Sequence, residues 1–228
     1  LDECEGIGGN IMKVFLTSHL LNYKKVNDKY IPTKINNDNG IVDQLKDNLE
    51  GNGGIVFFAS SKSDYSKTDS YAHVLFESLK LSGILFDNYY IIDDRFKDSI
   101  KDVVDKSDMV FIAGGDTLEE IKFFNEINLR NILKDYDGVI MGQSAGSINL
   151  AYDVYNSPEC IEDLEKESKW QGLCKTRISI EPHFIYSDEN FSEDEKLQRK
   201  EVLKESYNRV SYGILDGSHI TDIDGEVM

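Results

Sequence analysis

Apolar residues fall in short unbroken runs separated by longer stretches in which they recur every three or four positions. The runs are Met12–Thr17, Gly54–Ala59, Asn88–Ile92, Asp108–Ala113 and Val139–Met141. A run that is apolar throughout, rather than at alternate positions, predicts a parallel strand covered on both faces. Ile41, Val42, Leu45 and Leu49 recur at helical spacing, and Gly51 and Gly53 end that helix. Tyr71, Val74, Leu75, Leu79 and Leu81 predict a second, longer helix, and Ile100, Val103 and Val104 a third helical face. Residues 118–127 and 129–133 are helical by the same spacing. Ser18 to Asn39 is polar and turn-rich, and is expected to be loop with at most a short helix. Ser60 to Thr68 is expected to be loop.

Strand and helix therefore alternate from Met12 to Ala151. That order predicts an α/β fold: a doubly wound, mostly parallel sheet flanked by helices. Beyond Ala151 the pattern loosens. Tyr152 to Lys175 is acidic and holds Pro158 and the only tryptophan, Trp170, whose role the sequence leaves open. Residues 177–182 and 210–215 read as strands, with a charged helix over 193–207 between them. Ser218 to Gly225 reads as the start of a small C-terminal hairpin extension whose return strand is missing, as though the chain were cut after Met228. Residues 1–11 read as a leader, foreign or frayed, ahead of a single domain over 12–228.

Composition narrows the function. The 228 residues carry a formal charge of −17. So acidic a surface disfavours nucleic acid and anionic membranes as partners. No apolar run approaches the length of a membrane span and no signal peptide is visible, so the default location is cytoplasmic. Cys4, Cys160 and Cys174 are odd in number and irregular in spacing, which argues against a disulfide framework. The four histidines are scattered without metal-ligand spacing, so no metal or other cofactor is expected.

The chemistry concentrates at Gly142-Gln143-Ser144-Ala145-Gly146. Strand, Gly-x-Ser-x-Gly and helix in succession form the nucleophile-elbow pattern. The turn is so tight that side chains at Gly142 and Gly146 would collide with strand or helix. It lifts the Ser144 hydroxyl above the sheet edge and leaves the Ala145 amide facing a developing oxyanion. A serine needs a base, and the base needs an acid to orient it. His183, pinned after Pro182 at a strand end, is the leading base. His219 competes with it, while His73 reads as a helix-face residue. Asp216, directly after an apolar strand, is the leading acid, with Asp153 and Glu159 as alternatives. Gly114-Gly115-Asp116-Thr117 reads as a tight turn with a helix cap, as a source of a second oxyanion amide, or as both.

Phe111–Thr117, Gly142–Ser147, Glu181–Phe184 and Gly213–Gly217 together resemble, in order, the motifs of the peptidase E family, which includes aspartyl dipeptidase and cyanophycinase. Lys13–Ser18 resembles that family's first strand. The resemblance implies a class I glutamine amidotransferase-like, flavodoxin-related fold. It also implies a serine peptidase of small peptides with Ser144 as nucleophile, His183 as base and Asp216 as third member. Ala145 and Gly115 would be the oxyanion donors, with Gly114 as the neighbour one residue away. Aspartyl dipeptidase uses an arginine on the helix after the histidine to hold an N-terminal aspartate. Alignment places Lys196 there, with Arg199 one turn on, beside the acidic run Asp188, Glu189, Glu193, Asp194 and Glu195. Lysine lacks the bidentate fork, so aspartyl preference stays open. The partner expected is a small peptide, and the assembly a monomer or homodimer. Two other readings remain at this point: an α/β-hydrolase esterase using Ser144 with Asp153 and His219, and a non-catalytic peptide or partner binder.

Overall fold

A computed structural model describes residues 13–185 and 191–228 of the chain. In chain order it contains β1 (Lys13–Thr17), β2 (Tyr23–Val26), β3 (Lys29–Pro32), α1 (Ile41–Asn48), β4 (Gly54–Phe58), α2 (Tyr65–Leu81) and β5 (Asn88–Ile92). There follow α3 (Ile100–Val104), β6 (Met109–Ile112), α4 (Thr117–Glu126), α5 (Leu129–Ile132), β7 (Val139–Gln143) and α6 (Ala145–Leu150). The remainder holds β8 (Asp153–Tyr155), β9 (Lys169–Gln171), β10 (Ser179–Glu181), α7 (Glu193–Glu205), β11 (Ser211–Gly213), β12 (His219–Ile223) and β13 (Glu226–Val227).

Seven strands form the central sheet in the order β13-β12-β1-β7-β6-β4-β5. The five from β1 to β5 along that order pair in parallel, and β12 joins β1 antiparallel. The unbroken apolar runs now have a cause. Successive side chains of a strand face opposite sides, and here each side is a separate core. Val14, Leu16, Val56, Phe58, Val110, Ile112 and Ile140 face one cluster, closed by Ile121, Phe124, Leu129 and Leu150 of α4 to α6. Phe15, Ile55, Phe57, Met109, Phe111, Val139 and Met141 face the other, closed by Ile41, Leu45, Leu75 and Leu79 of α1 and α2. Each such side chain contributes roughly 1.5–3 kcal/mol by leaving water, which holds the strand ends in fixed positions.

Four expectations need correction. The segment 18–39 contains the β2–β3 hairpin rather than loop or helix. Its two-residue turn, Asn27-Asp28, has positive φ at both positions (48° and 59°), the backbone that matches strand twist in a tight hairpin. The loop after β4 is shorter than expected, because Asp64 caps α2 through a bond from Lys67 N, 3.3 Å. The C-terminal return strand is present: β13 pairs with β12 and extends the sheet. Cys174 is disulfide-bonded, whereas Cys160 is free. The expected first-strand residue Met12, the leader 1–11 and the acidic residues Asp188 and Glu189 lie outside the described residues. Among the described residues no helix is long and apolar enough to cross a membrane.

Candidate active site

Three adjacent parallel strands, β1, β7 and β6, end at the same sheet edge, where open α/β sheets bind ligands. Ser18 and Ser144 directly follow β1 and β7, and Gly114-Gly115 lies one residue beyond the end of β6. At the end of β7 the backbone turns through Ser144 at φ 51°, ψ −118° and enters α6 at once. That conformation is costly for a residue with a side chain, and persists only where the surroundings over-determine it. Here Ser144 N donates to Thr17 O at 2.8 Å. Ser147 Oγ accepts from Thr17 N and donates to Thr17 O, both at 2.9 Å. The elbow is thereby tied to β1 from both sides.

A Cβ on Gly142 would lie 2.6 Å from the backbone of Ser147, and one on Gly146 would lie 2.6 Å from Ala113 O and collide with Ile112 O. Backbone cannot swing away as a side-chain tip can. Gly146→Ala is therefore expected to cost about 1–3 kcal/mol of stability. In a chain this long that lowers Tm by roughly 2–12 °C, which a thermal melt followed by circular dichroism would read. An unchanged Tm would show that the elbow packs more loosely than drawn.

His183 follows β10 and Pro182 and itself has positive φ, 55°. Its Nε2 lies 2.9 Å from Ser144 Oγ, and its Nδ1 lies 2.7 Å from Asp216 Oδ1. A carboxylate only accepts, so Nδ1 carries the proton, and Nε2 is left to accept from the serine hydroxyl. Asp216 comes from the turn after β11. β10 and β11 pair in parallel, Ile214 N donates to Glu181 O (2.9 Å), and Phe184 N donates to Ile214 O (3.0 Å), so the two turns move as one. Burial pushes the Asp216 carboxyl up. The hydrogen bond from Ser18 and the nearby His183 imidazole outweigh it and hold the group below its ordinary value.

Ser18 escaped the sequence reading. Fully buried, it donates from Oγ to Asp216 Oδ1 (2.7 Å) and accepts from His183 N (2.8 Å). It ties His183 and Asp216 to the end of β1. His19 was not singled out either. It lies beside the same centre, edge-on to Tyr23 (5.1 Å), with Nδ1 accepting from Leu21 N; burial lowers its pKa.

The structure does not bring His219 to Ser144. Its Nε2 contacts Gln44 Oε1 at 3.1 Å and its ring stacks on Phe15. Asp153 is exposed on β8, and His73 is exposed on α2 as expected. Trp170 does not cover the site: its Nε1 donates to Asn149 Oδ1 (3.0 Å), whose Nδ2 donates to Glu120 Oε2 (2.8 Å), fastening α6 to α4. Among the described residues no cluster of His, Cys, Asp or Glu is arranged to hold a metal.

Two cavities flank Ser144, with volumes of about 320 and 240 Å³. Among the described residues they share only Gly115, Ser144 and His183. The larger is walled by Glu159, Glu181, Glu195, Gln198 and Arg199. Arg199 lies over the rings of Phe191 (4.0 Å) and Phe184 (4.9 Å), and its Nη2 is buried with no hydrogen-bond partner among the described residues. Lys196 is not in this cavity. It pairs with Glu193 at 2.6 Å on the outer face of α7, and Asp194 is exposed beside it. The position expected to hold lysine at the site is thus taken by Arg199.

Glu181 is 7% exposed and accepts from Ser157 Oγ (2.6 Å) and Gln198 Nε2 (3.1 Å). Burial raises its pKa from 4.5 to about 7. Between those values the folded protein binds more protons than the unfolded chain, so this group makes stability fall as pH rises from about 4.5 to 7 and adds no further change above. Glu181→Gln should shrink the loss of stability between pH 5 and 7.5 by up to about 3 kcal/mol, measured by urea unfolding of both proteins. An identical pH slope in parent and variant would refute the assignment.

The model of peptidase family S51 matches residues 33–228. The chain belongs to peptidase family S51. It is a serine peptidase, and the non-catalytic reading falls. Two crystal structures share its fold. One, described as a peptidase E protein from Listeria monocytogenes EGD-e, has 15% identity and a TM-score of 0.63 over 96% of this chain and 97% of its own. The other, a peptidase from an acI-B1 Actinobacterium, has 13% identity and a TM-score of 0.66 over 93% of this chain and 84% of its own. Among curated protein sequences none matches.

Proposed function

We propose that the peptidase hydrolyses short peptides, dipeptides foremost, through an acyl-enzyme on Ser144. The observation that carries this reading is the pair of contacts His183 makes, Nε2 to Ser144 Oγ at 2.9 Å and Nδ1 to Asp216 Oδ1 at 2.7 Å. The Ser144 proton passes to His183 Nε2 as Oγ attacks the scissile carbonyl carbon. Asp216 holds the imidazole and balances the charge it gains. The amides of Ala145 and Gly115 face the oxyanion. The tetrahedral intermediate collapses, the C–N bond breaks, and His183 gives its proton to the leaving amine. Water then attacks the acyl carbon as it gives a proton to Nε2; the C–Oγ bond breaks, Oγ takes that proton back, and the acid is released.

The larger cavity takes the acyl residue. Its carboxylates suit the α-ammonium of a free N-terminus, and Arg199 suits an acidic side chain: its unpartnered Nη2 leaves a charged donor to fill. An N-terminal aspartyl or glutamyl residue is therefore the preferred first residue. The esterase reading lacks support, since His219 engages Gln44 instead.

A fluorophosphonate probe tests the centre. Mass spectrometry is expected to find the label on Ser144, and His183→Ala is expected to slow labelling by about 10²–10⁴. Labelling at another residue, or at equal rate without His183, would sink the reading. A panel of dipeptides with varied first residue tests the acidic preference.

A further inference from the structure

The smaller cavity lies across Ser144 from the one that holds Arg199, and differs from it in kind. Its floor is Phe57 and Phe111, stacked at 5.6 Å and 1% and 3% exposed. Its wall is a chain of tyrosines. Tyr23 and Tyr30 of the hairpin meet edge to face at 4.8 Å, and Tyr30 meets Tyr71 of α2 at 5.9 Å. At its margin stands Lys67, one helical turn before Tyr71, with Nζ 5.7 Å from that ring's centroid. Lys67 makes no ion pair among the described residues, although the chain carries 42 acidic side chains. An aromatic box with a single unspent cation at its edge is complementary to an aromatic ring carrying an anion.

We propose that this cavity is the leaving-group subsite of the peptidase, and that it takes an aromatic amino acid whose free α-carboxylate pairs with Lys67. The inference rests on the proposed role of Ser144 and on the placing of the acyl residue beside Arg199. The two cavities touch only at Gly115, Ser144 and His183 among the described residues. A peptide bond held there has one residue on each side. With the acyl residue on the Arg199 side, the residue that departs lies among the tyrosines. Tyr30 and Tyr71 present ring edges and faces to it, and Lys67 reads the chain end. Because Lys67 and Ser144 line the same cavity, a carboxylate read by Lys67 favours substrates that end one residue past the cut.

The test is equilibrium binding of the departing product to the intact protein. L-Phenylalanine is expected to bind about tenfold more tightly than L-alanine. It should also bind several-fold more tightly than L-phenylalaninamide. Lys67→Met should bring the acid-over-amide ratio close to one, and Lys67→Arg should retain it. Tyr30→Ala should reduce the preference for phenylalanine over alanine. With first residue held constant, kcat/KM for dipeptides should follow the same order of second residues. Equal binding of phenylalanine and alanine, or of acid and amide, by the parent overturns the proposal. So does phenylalanine binding that neither slows fluorophosphonate labelling nor tracks second-residue preference, for then the cavity is not beside the reacting bond. Failure of Ser144 to label at all overturns instead the proposed nucleophile, and the binding assay still reports on the cavity.

Discussion

Replacing Ser144 with alanine is expected to lower kcat for dipeptide hydrolysis by on the order of 10⁶ while leaving the fold intact. The loss is large because, in the proposed mechanism, the hydroxyl supplies the bond-forming atom. What remains comes from holding the peptide and polarising its carbonyl. The fold should survive because alanine keeps the Cβ at φ 51°, ψ −118°, and among the described residues Ser144 Oγ bonds only to the half-exposed His183. The tie from Ser144 N to Thr17 O belongs to the backbone and is unaffected. Single-turnover hydrolysis at saturating enzyme, with Tm measured alongside, separates the two effects. Retention of more than about 1% of kcat would place the nucleophile elsewhere.

Asp216→Asn should cost about 10⁴ in kcat, with a smaller effect on stability. The argument concerns a single proton. The carboxylate compels His183 to carry its hydrogen on Nδ1, 2.7 Å away, and so leaves Nε2 bare toward Ser144. An asparagine can turn its NH₂ toward Nδ1, which moves the hydrogen to Nε2, where it blocks the transfer. Ser18 adds a second constraint, since its hydroxyl already donates to Asp216 Oδ1. Ser18 Oγ and His183 Nδ1 share that one oxygen, so an asparagine that turns its NH₂ to the imidazole also turns the Ser18 hydroxyl from donor to acceptor. A pH–rate profile accompanies the measurement. A variant losing less than tenfold at every pH would show that another group orients His183.

The sheet was readable because its determinants are local. Each strand from β1 to β7 within the parallel set feeds two cores at once, so both its odd and even positions are apolar, as in Ile55 to Phe58. The elbow was readable for a similar reason: Gly142, Ser144 and Gly146 act within five residues of one another. Ser18 left no such trace. Its partners His183 and Asp216 lie 165 and 198 residues away, and nothing near it in sequence distinguishes a buried tether from a loop serine. The hairpin was obscured by Lys24, Lys25 and Lys29, which make β2 and β3 look like solvated coil, although Asn27-Asp28 carried the turn signal. Lys196 and Arg199 could not be separated by spacing. Glu195, Gln198, Arg199 and Val202 form the stripe of α7 that faces the cavity, and Lys196 starts the neighbouring stripe. Which stripe turns inward is decided by how α7 packs on the strands, a tertiary fact.

Among the described residues the β2–β3 hairpin pairs with no other strand. It stands beside Ser144 outside the seven-stranded sheet and meets α2 through Tyr30 and Tyr71, so its exposed side chains escape the packing demands that fix Phe57 or Met141. On the proposed assignment of the two cavities, part of the selectivity is lodged in a piece that can be mutated apart from Ser144, His183 and Asp216. Substitutions at the exposed positions of this hairpin can therefore reshape one cavity wall without disturbing the strand that ends at Ser144.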